Sequence, residues 1–269
     1  MRQSGTQGHA ARWAALVAAG TATTALLAGC SSAGEAPPAG APVQTLTVSA
    51  AASLRTVYTQ FKTQFEQAHP GTTVALNFGG SDTLAQQIVQ GAPADVLATA
   101  STKTMQTAQQ AGKIEGQPVT YATNKLQIAV APGDPKGIRV LADLTRPGVT
   151  TVLCAPAVPC GVAAGAAEKA ANIDIRPVSE EQDVAAVLQR VRTGTVDAGL
   201  VYVTDVKSTN GAVQGVDFPE ATAQGATQSY PIGVVTGSPQ ADLARQWIAL
   251  VTGPQGKAAL AQGGFAVTP

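Results

Sequence analysis

Charge, aromatic rings and histidine are all scarce in this chain. Of 269 residues only 13% are charged, and 17 Lys and Arg balance 17 Asp and Glu. A neutral chain lacks the electrostatic footprint of a nucleic-acid binder and offers no polybasic membrane patch. Histidine occurs only at His9 and His69, too few for a His-rich metal centre and unfavourable for a His-based catalytic triad. Aromatics make up 4%, so the core has to be built from Ala and Val rather than rings. Several motifs are missing as well. No G-x-x-x-x-G-K-[ST] occurs, and Gly253-Pro254-Gln255-Gly256-Lys257 has neither its spacing nor its hydroxyl. No G-x-G-x-x-G follows a strand and no G-x-S-x-G is present, so P-loop, dinucleotide and nucleophile-elbow chemistry are excluded.

What is present begins with an export signal. Arg2 and Arg12 precede an apolar run from Trp13 to Ala28, and no acid appears before Glu35. The run is short for a membrane span of roughly 20 residues but suits a secretory core. It ends in Leu27-Ala28-Gly29-Cys30, which resembles the bacterial lipobox and implies lipidation of Cys30. Residues 1–29 then form a lipoprotein signal peptide. Residues 30–43, rich in Ser, Gly, Ala and Pro, read as a flexible tether. Cleavage removes two arginines and no acid, so the mature balance is 15 cations against 17 anions, with ten aromatics and His69 alone. The reading is an extracytoplasmic domain held to the cell membrane through its N-terminal lipid, where stable attachment takes more than one acyl chain.

Along the mature chain, strand-like and helix-like runs alternate. Thr45–Ser49 is followed by a helix with Leu54, Val57, Tyr58, Phe61, Phe65 and Ala68 on one face, stopped by Pro70-Gly71. Thr73–Phe78, a helix over 82–90, strand Val96–Ala98 and a helix over 102–111 complete one series. A second contains Leu126–Ala131, Thr151–Cys154, a helix over 161–171, a helix presenting Val184, Val187, Leu188 and Val191, and strand Ala198–Val203. Strand Tyr230–Val235 and two helices close the chain. Alternation of this kind predicts an α/β fold with a largely parallel sheet. Both series hold a helix end, a glycine, an aspartate and a strand in that order, at Gly91–Val96 and Gly194–Ala198, which favours two similar lobes.

Three turns place small or hydroxylic residues between a strand end and a helix start: Ala50-Ala51-Ala52-Ser53, Gly79-Gly80-Ser81-Asp82 and Pro159-Cys160-Gly161. Helix N-termini present unpaired N–H groups and partial positive charge, so converging starts make an anion site without any Lys or Arg. Singly, each serine is equally an ordinary N-cap. Glu180-Glu181 could supply paired acids, but helix neighbours point different ways, and they read as a solvated helix start. A hydrolase using Ser53 or Ser81 as nucleophile would need a base that the sequence does not offer.

Ala51-Ala52-Ser53-Leu54, Phe78-x-x-Ser81-x-Thr83-Leu84-x-x-Gln87-Ile88 and Gly91-Ala92-Pro93-Ala94-Asp95-Val96 resemble the molybdate-binding proteins of ABC importers. The resemblance continues through Val158-Pro159-Cys160-Gly161, Asp183-Val184, Leu200-Val201-Tyr202, Tyr230-Pro231 and Gly253-Pro254-Gln255, across nearly all of 44–269. It implies a two-lobed, type II periplasmic-binding-protein fold with the ligand cleft between lobes: one lobe of 44–123 and 232–269, the other of 124–231. It also implies capture of molybdate or tungstate for an ABC permease by a non-enzymatic monomer without cofactor, the metal being held as its oxyanion rather than by side-chain coordination. Carried over by motif, Ser53 and Ser81 would give backbone and hydroxyl donors, Cys160 and Val184 backbone N–H groups, and Tyr202 its hydroxyl. The runner-up is a receptor for sulfate or phosphate, the latter needing an acidic acceptor such as Asp82.

Two features depart from the family pattern. Cys160 stands where a small residue such as Ala is usual, and Cys154 lies six residues earlier; in an exported protein they are expected to form a bridge worth roughly 2 kcal/mol in the entropic model, the alternative being two buried free thiols. Ser179-x-x-Gln182 reads as a capping box that would start the later helix at Glu180 and consume the Val184 N–H. Capping by Asp183 leaves that N–H free, and the resemblance favours Asp183.

Overall fold

The structure, a computed structural model, describes residues 44–268; the expected signal peptide (1–29), the tether (30–43) and the lipidation site Cys30 lie outside them, the described part of the chain starting only at Gln44. β1 (Gln44–Ala51) runs through a 3-10 turn (Ala52–Leu54) into α1 (Arg55–Ala68), followed by β2 (Thr72–Gly79), α2 (Ser81–Val89), β3 (Val96–Ala98) and α3 (Thr102–Gln110). A long strand, β4 (Val119–Val130), leads to a second 3-10 turn (Leu141–Thr145), β5 (Thr151–Cys154), α4 (Pro159–Ala171), β6 (Ser179–Glu181), α5 (Val184–Arg192) and β7 (Ala198–Tyr202). The remainder is α6 (Val203–Ser208), β8 (Gln214–Val216), α7 (Glu220–Gly225), β9 (Thr227–Val234), α8 (Ala241–Thr252), α9 (Pro254–Gly263) and β10 (Ala266–Val267). Among the described residues no helix is long and apolar enough to cross a membrane.

The strands line up as β2-β1-β3-β9-β4-β7-β5-β6, with β8 and β10 also on β4. The expected parallel sheet is present only at the two ends, where β2-β1-β3 and β7-β5-β6 run parallel. The middle is antiparallel, with β9 paired to β3 and β4, and β4 to β7. β4 belongs to both: it pairs with β9 through Lys125 and with β7 from Leu126 onward. β9 pairs with β4 from Thr227 onward, so the second crossing expected between residues 231 and 232 falls inside a strand. The ladder continues there: Gln228–Tyr230 face Ala122–Asn124, and Pro231 faces Thr120 across a register shift.

The first half has a large core and a smaller cluster around Met105, and the second half has one core, giving the two-lobed α/β architecture. The scarce rings are unevenly spent: eight of the ten aromatics in the mature chain pack in or against the first core. There Trp247 of α8 meets the rings of Tyr58, Phe61 and Phe65 of α1 at centroid distances of 5.5, 6.4 and 5.5 Å, edge to face. The second core holds only Tyr202 and Phe218 and is otherwise packed from Val, Ala, Leu and Ile, with Cys154 and Cys160 among them. The repeated glycine–aspartate phrase does the same work in both. Gly91 and Gly194 take positive φ after their helices, and Asp95 and Asp197 then accept the amides of Thr47 and Thr150 at 2.6 and 2.8 Å. Each carboxylate ties the start of one strand to a neighbouring one.

One expectation is corrected outright. Glu180-Glu181 do not start a helix; they lie in β6, paired in parallel with Leu153 and Cys154. Glu181 forms an ion pair with Arg190 at 2.9 Å. The ladder satisfies these backbone groups, so the Ser179-x-x-Gln182 box never forms. Asp183 caps α5 instead, accepting the Ala186 N–H at 2.9 Å.

Candidate functional site

Four chain reversals converge between the two cores. On one side are the 3-10 turn carrying Ser53 and the start of α2, where Gly80 is the N-cap and Ser81 the first helical residue. On the other are α4, with Pro159 and Cys160 in its first turn, and α5, with Val184 in its first position. All five residues expected from the sequence, Ser53, Ser81, Cys160, Val184 and Tyr202, line one small cavity of about 20 Å³. Pro159 brings no N–H, so the first amide that α4 can offer is that of Cys160. Capping by Asp183 puts Val184 among the first-turn residues whose amides have no partner within the helix.

Cys154 and Cys160 are bridged by a disulfide, as expected. The bridge folds the end of β5 back onto the start of α4. Gly161 is essential to that fold: a Cβ there would overlap the Ala155 carbonyl.

Hydrogen-bond direction decides what the hydroxyls can do. Ser81 Oγ accepts the Ala100 N–H at 3.0 Å, which leaves its own proton to donate. Ser53 Oγ lies 2.8 Å from the Tyr230 hydroxyl. Asn124 Nδ2, a donor only, stands 3.5 Å from that hydroxyl and 2.7 Å from Thr204 Oγ1, while Asn124 Oδ1 takes the Lys125 N–H. Either hydroxyl can donate in the Ser53–Tyr230 contact; where Tyr230 donates, the Ser53 proton is left for the cavity. Tyr202 differs. Its hydroxyl is buried and has no partner among the described residues, although its ring packs edge to face on Tyr230.

Among the described residues no Lys or Arg lines the cavity, and the one carboxylate there, Asp183, accepts the Ala186 amide. Burial pushes the Tyr202 hydroxyl well above its ordinary range, with nearby Tyr230 and Asp205 adding to the effect, so it remains a donor. Behind it Asp205 accepts the Tyr202 N–H at 2.9 Å. Burial raises this carboxyl from an ordinary 3.8 to about 7, the Tyr202 N–H opposing and Asp183 reinforcing the rise. The result is a small enclosure of neutral donors without a fixed cation. It suits a compact anion carrying no proton of its own.

The other candidates fall elsewhere. Asp82 is not on the cavity lining. His69 ends α1, its ring stacked on Phe65 at 4.0 Å and its nitrogens engaged by the Phe65 carbonyl and Gln246. The hydrogen-bond partners of the Ser53 and Ser81 hydroxyls are a tyrosine and a backbone amide, neither of which is a general base. Asn124, Tyr230 and Asp205 surround the site without a sequence signal that places them there. Tyr230-Pro231 reads only as a motif, and nothing local ties Asn124 to a serine 71 positions earlier.

A family model for bacterial extracellular solute-binding proteins matches residues 46–266. The molybdate-binding protein ModA of Mycobacterium tuberculosis is 44% identical over 261 residues, covering 95% of this chain and 99% of that protein. Among solved structures, the periplasmic molybdate-binding protein of Azotobacter vinelandii superposes with a TM-score of 0.72 over 83% of this chain and all of that one, at 20% identity. The sulfate-binding protein SubI of Mycobacterium tuberculosis superposes with a TM-score of 0.69 over 82% of this chain and 86% of its own, at 19% identity. Both likenesses bear on the fold alone.

Proposed function

The chain belongs to the bacterial extracellular solute-binding protein family, and we propose that it is an extracytoplasmic receptor capturing molybdate or tungstate for an ABC importer. The observation that carries this reading is the cavity itself: the Ser81 hydroxyl with its proton to give, the Ser53 hydroxyl, helix-start amides at Cys160 and Val184, and the orphan Tyr202 hydroxyl, all neutral. A tetrahedral dianion offers these donors acceptors in divergent directions. Hydrogen bonds to a charged partner contribute about 1.5–3 kcal/mol each, so a handful holds a dianion without burying a paired cation.

In this reading the lobes are residues 44–125 with 227–268, and 126–226, joined through β4 and the connection into β9. Anion entry closes them and expels water, which strengthens each bond in the drier site. The mature chain carries net negative charge, so capture relies on local dipoles rather than on long-range attraction. The same proposal makes residues 1–29 a signal peptide and Cys30 the lipid-bearing N-terminus of a monomer anchored outside the cytoplasm. No step of catalysis and no cofactor belongs to it.

A second reading, sulfate, is favoured by one observation: the donor set distinguishes charge and shape, which sulfate shares, and leaves discrimination to cavity size. Phosphate is disfavoured because its proton would need an acceptor, and the expected one, Asp82, is not on the cavity lining. Calorimetric titration of the 31–269 domain with molybdate, tungstate, sulfate and phosphate tests all of this. One-to-one binding of the two metal oxyanions, tighter than sulfate, is expected. Tighter binding of sulfate or phosphate would overturn the assignment.

A further inference from the structure

Gly80, at the N-cap of α2, and Gln182, just before the Asp183 cap of α5, approach each other across the cavity from opposite lobes. A Cβ placed on Gly80 would overlap the Gln182 carbonyl oxygen. The Asp82 carboxylate stands 3.1 Å from the same point, and one of its oxygens is buried without a partner among the described residues. A methyl group there is therefore confined on two sides, and one obstacle is backbone that cannot rotate away. The dihedral angles of Gly80, φ −61° and ψ 131°, are ones any L-residue adopts. The turn itself does not require glycine; the contact between lobes does.

We infer that Gly80 is a positioning residue that sets the closed angle of the cleft, admitting the α2 start to within backbone contact of the α5 cap so that the cavity seals around its anion. The inference rests on the binding function proposed above. Its physical basis is the stiffness of packed interfaces: a forced methyl is accommodated by separation of the two bodies rather than by compression. Ser81 and Val184, which follow these two caps, would then no longer reach one anion together, and release would quicken.

The test compares wild type, Gly80→Ala and Gly165→Ala in the mature protein. Gly165 lies in α4, where a Cβ would meet open space, and so controls for the exchange itself. Gly80→Ala is expected to melt close to wild type without ligand, because the Gly80 dihedral angles suit any L-residue and the clash lies between the lobes rather than within a core. Its molybdate affinity should fall at least about tenfold, mostly through faster dissociation in stopped flow. Small-angle scattering at saturating molybdate should give a larger radius of gyration for Gly80→Ala than for wild type. That difference would not arise from a merely local change in the turn. Equal affinity within about twofold and equal compaction, with wild type binding normally, would overturn the inference while sparing the functional reading. A wild type that bound none of the four oxyanions would remove both.

Discussion

Ser53 Oγ and the Tyr230 hydroxyl stand 2.8 Å apart in a buried contact that joins residues 177 positions apart. Tyr230 does not line the cavity, yet it is the hydrogen-bond partner of the Ser53 hydroxyl, which does. Replacing it with Phe removes that partner. Tyr230→Phe is expected to weaken anion binding about threefold to tenfold, and Ser53→Ala by about tenfold or more, from the 1.5–3 kcal/mol carried by a bond to a charged group. Calorimetry on both variants and the double variant checks this. Losses that simply add would show that Tyr230 does not act through Ser53.

Tyr202→Phe should separate stability from binding. Its hydroxyl is buried with no partner among the described residues, so removing it lifts a desolvation cost without breaking a bond. The unliganded variant should melt at the wild-type temperature or above it, while affinity for the anion falls about tenfold to a hundredfold. Paired melts with and without ligand would expose a structural role for the hydroxyl as a lowered unliganded melting temperature.

The Cys154–Cys160 bridge closes a small loop, for which the chain-entropy account gives about 2 kcal/mol. Cys154→Ser/Cys160→Ser should therefore lower stability by about that amount in denaturant titrations. Because the bridge holds the first turn of α4 against β5, affinity should fall as well. An unchanged affinity would mean that the Gly161–Ala155 contact alone fixes this turn.

Asp205 makes stability depend on pH in a defined direction. Its carboxyl rises from 3.8 unfolded to about 7 folded, so the native state holds the proton more tightly. The resulting contribution is fully present below about pH 4 and is lost as pH rises through about 7. Asp205→Asn keeps an acceptor for the Tyr202 N–H but cannot ionise. Unfolding free energies at pH 5 and pH 8 should show the variant gaining on wild type as pH rises. Anion affinity of the wild type should also weaken over that interval, since an ionised Asp205 would sit behind Tyr202.

How much of this was legible follows from the range of the interactions involved. Strands such as Val96–Ala98 and Thr151–Cys154 were readable to the residue, because apolar runs between glycine and proline stops are local signals. The short elements Ser179–Glu181, Gln214–Val216 and Ala266–Val267 were not, since each is a strand only because a neighbour supplies its ladder. Ser179-x-x-Gln182 shows the competition directly: a good local cap lost to pairing with β5.

The sequence by itself determined the alternation of elements, the scarcity of charge that leaves backbone and hydroxyl dipoles to face an anion, and the five residues that meet at the cavity. Each of these is set by neighbours in the chain or by an ordered series of short motifs. The tertiary structure alone decided the hydrogen-bond partners of the two serine hydroxyls, the unpartnered state of Tyr202, the raised Asp205 and the contact that makes Gly80 more than a turn residue. These depend on burial and on atoms brought together from distant positions, and no local pattern encodes which backbone will stand opposite.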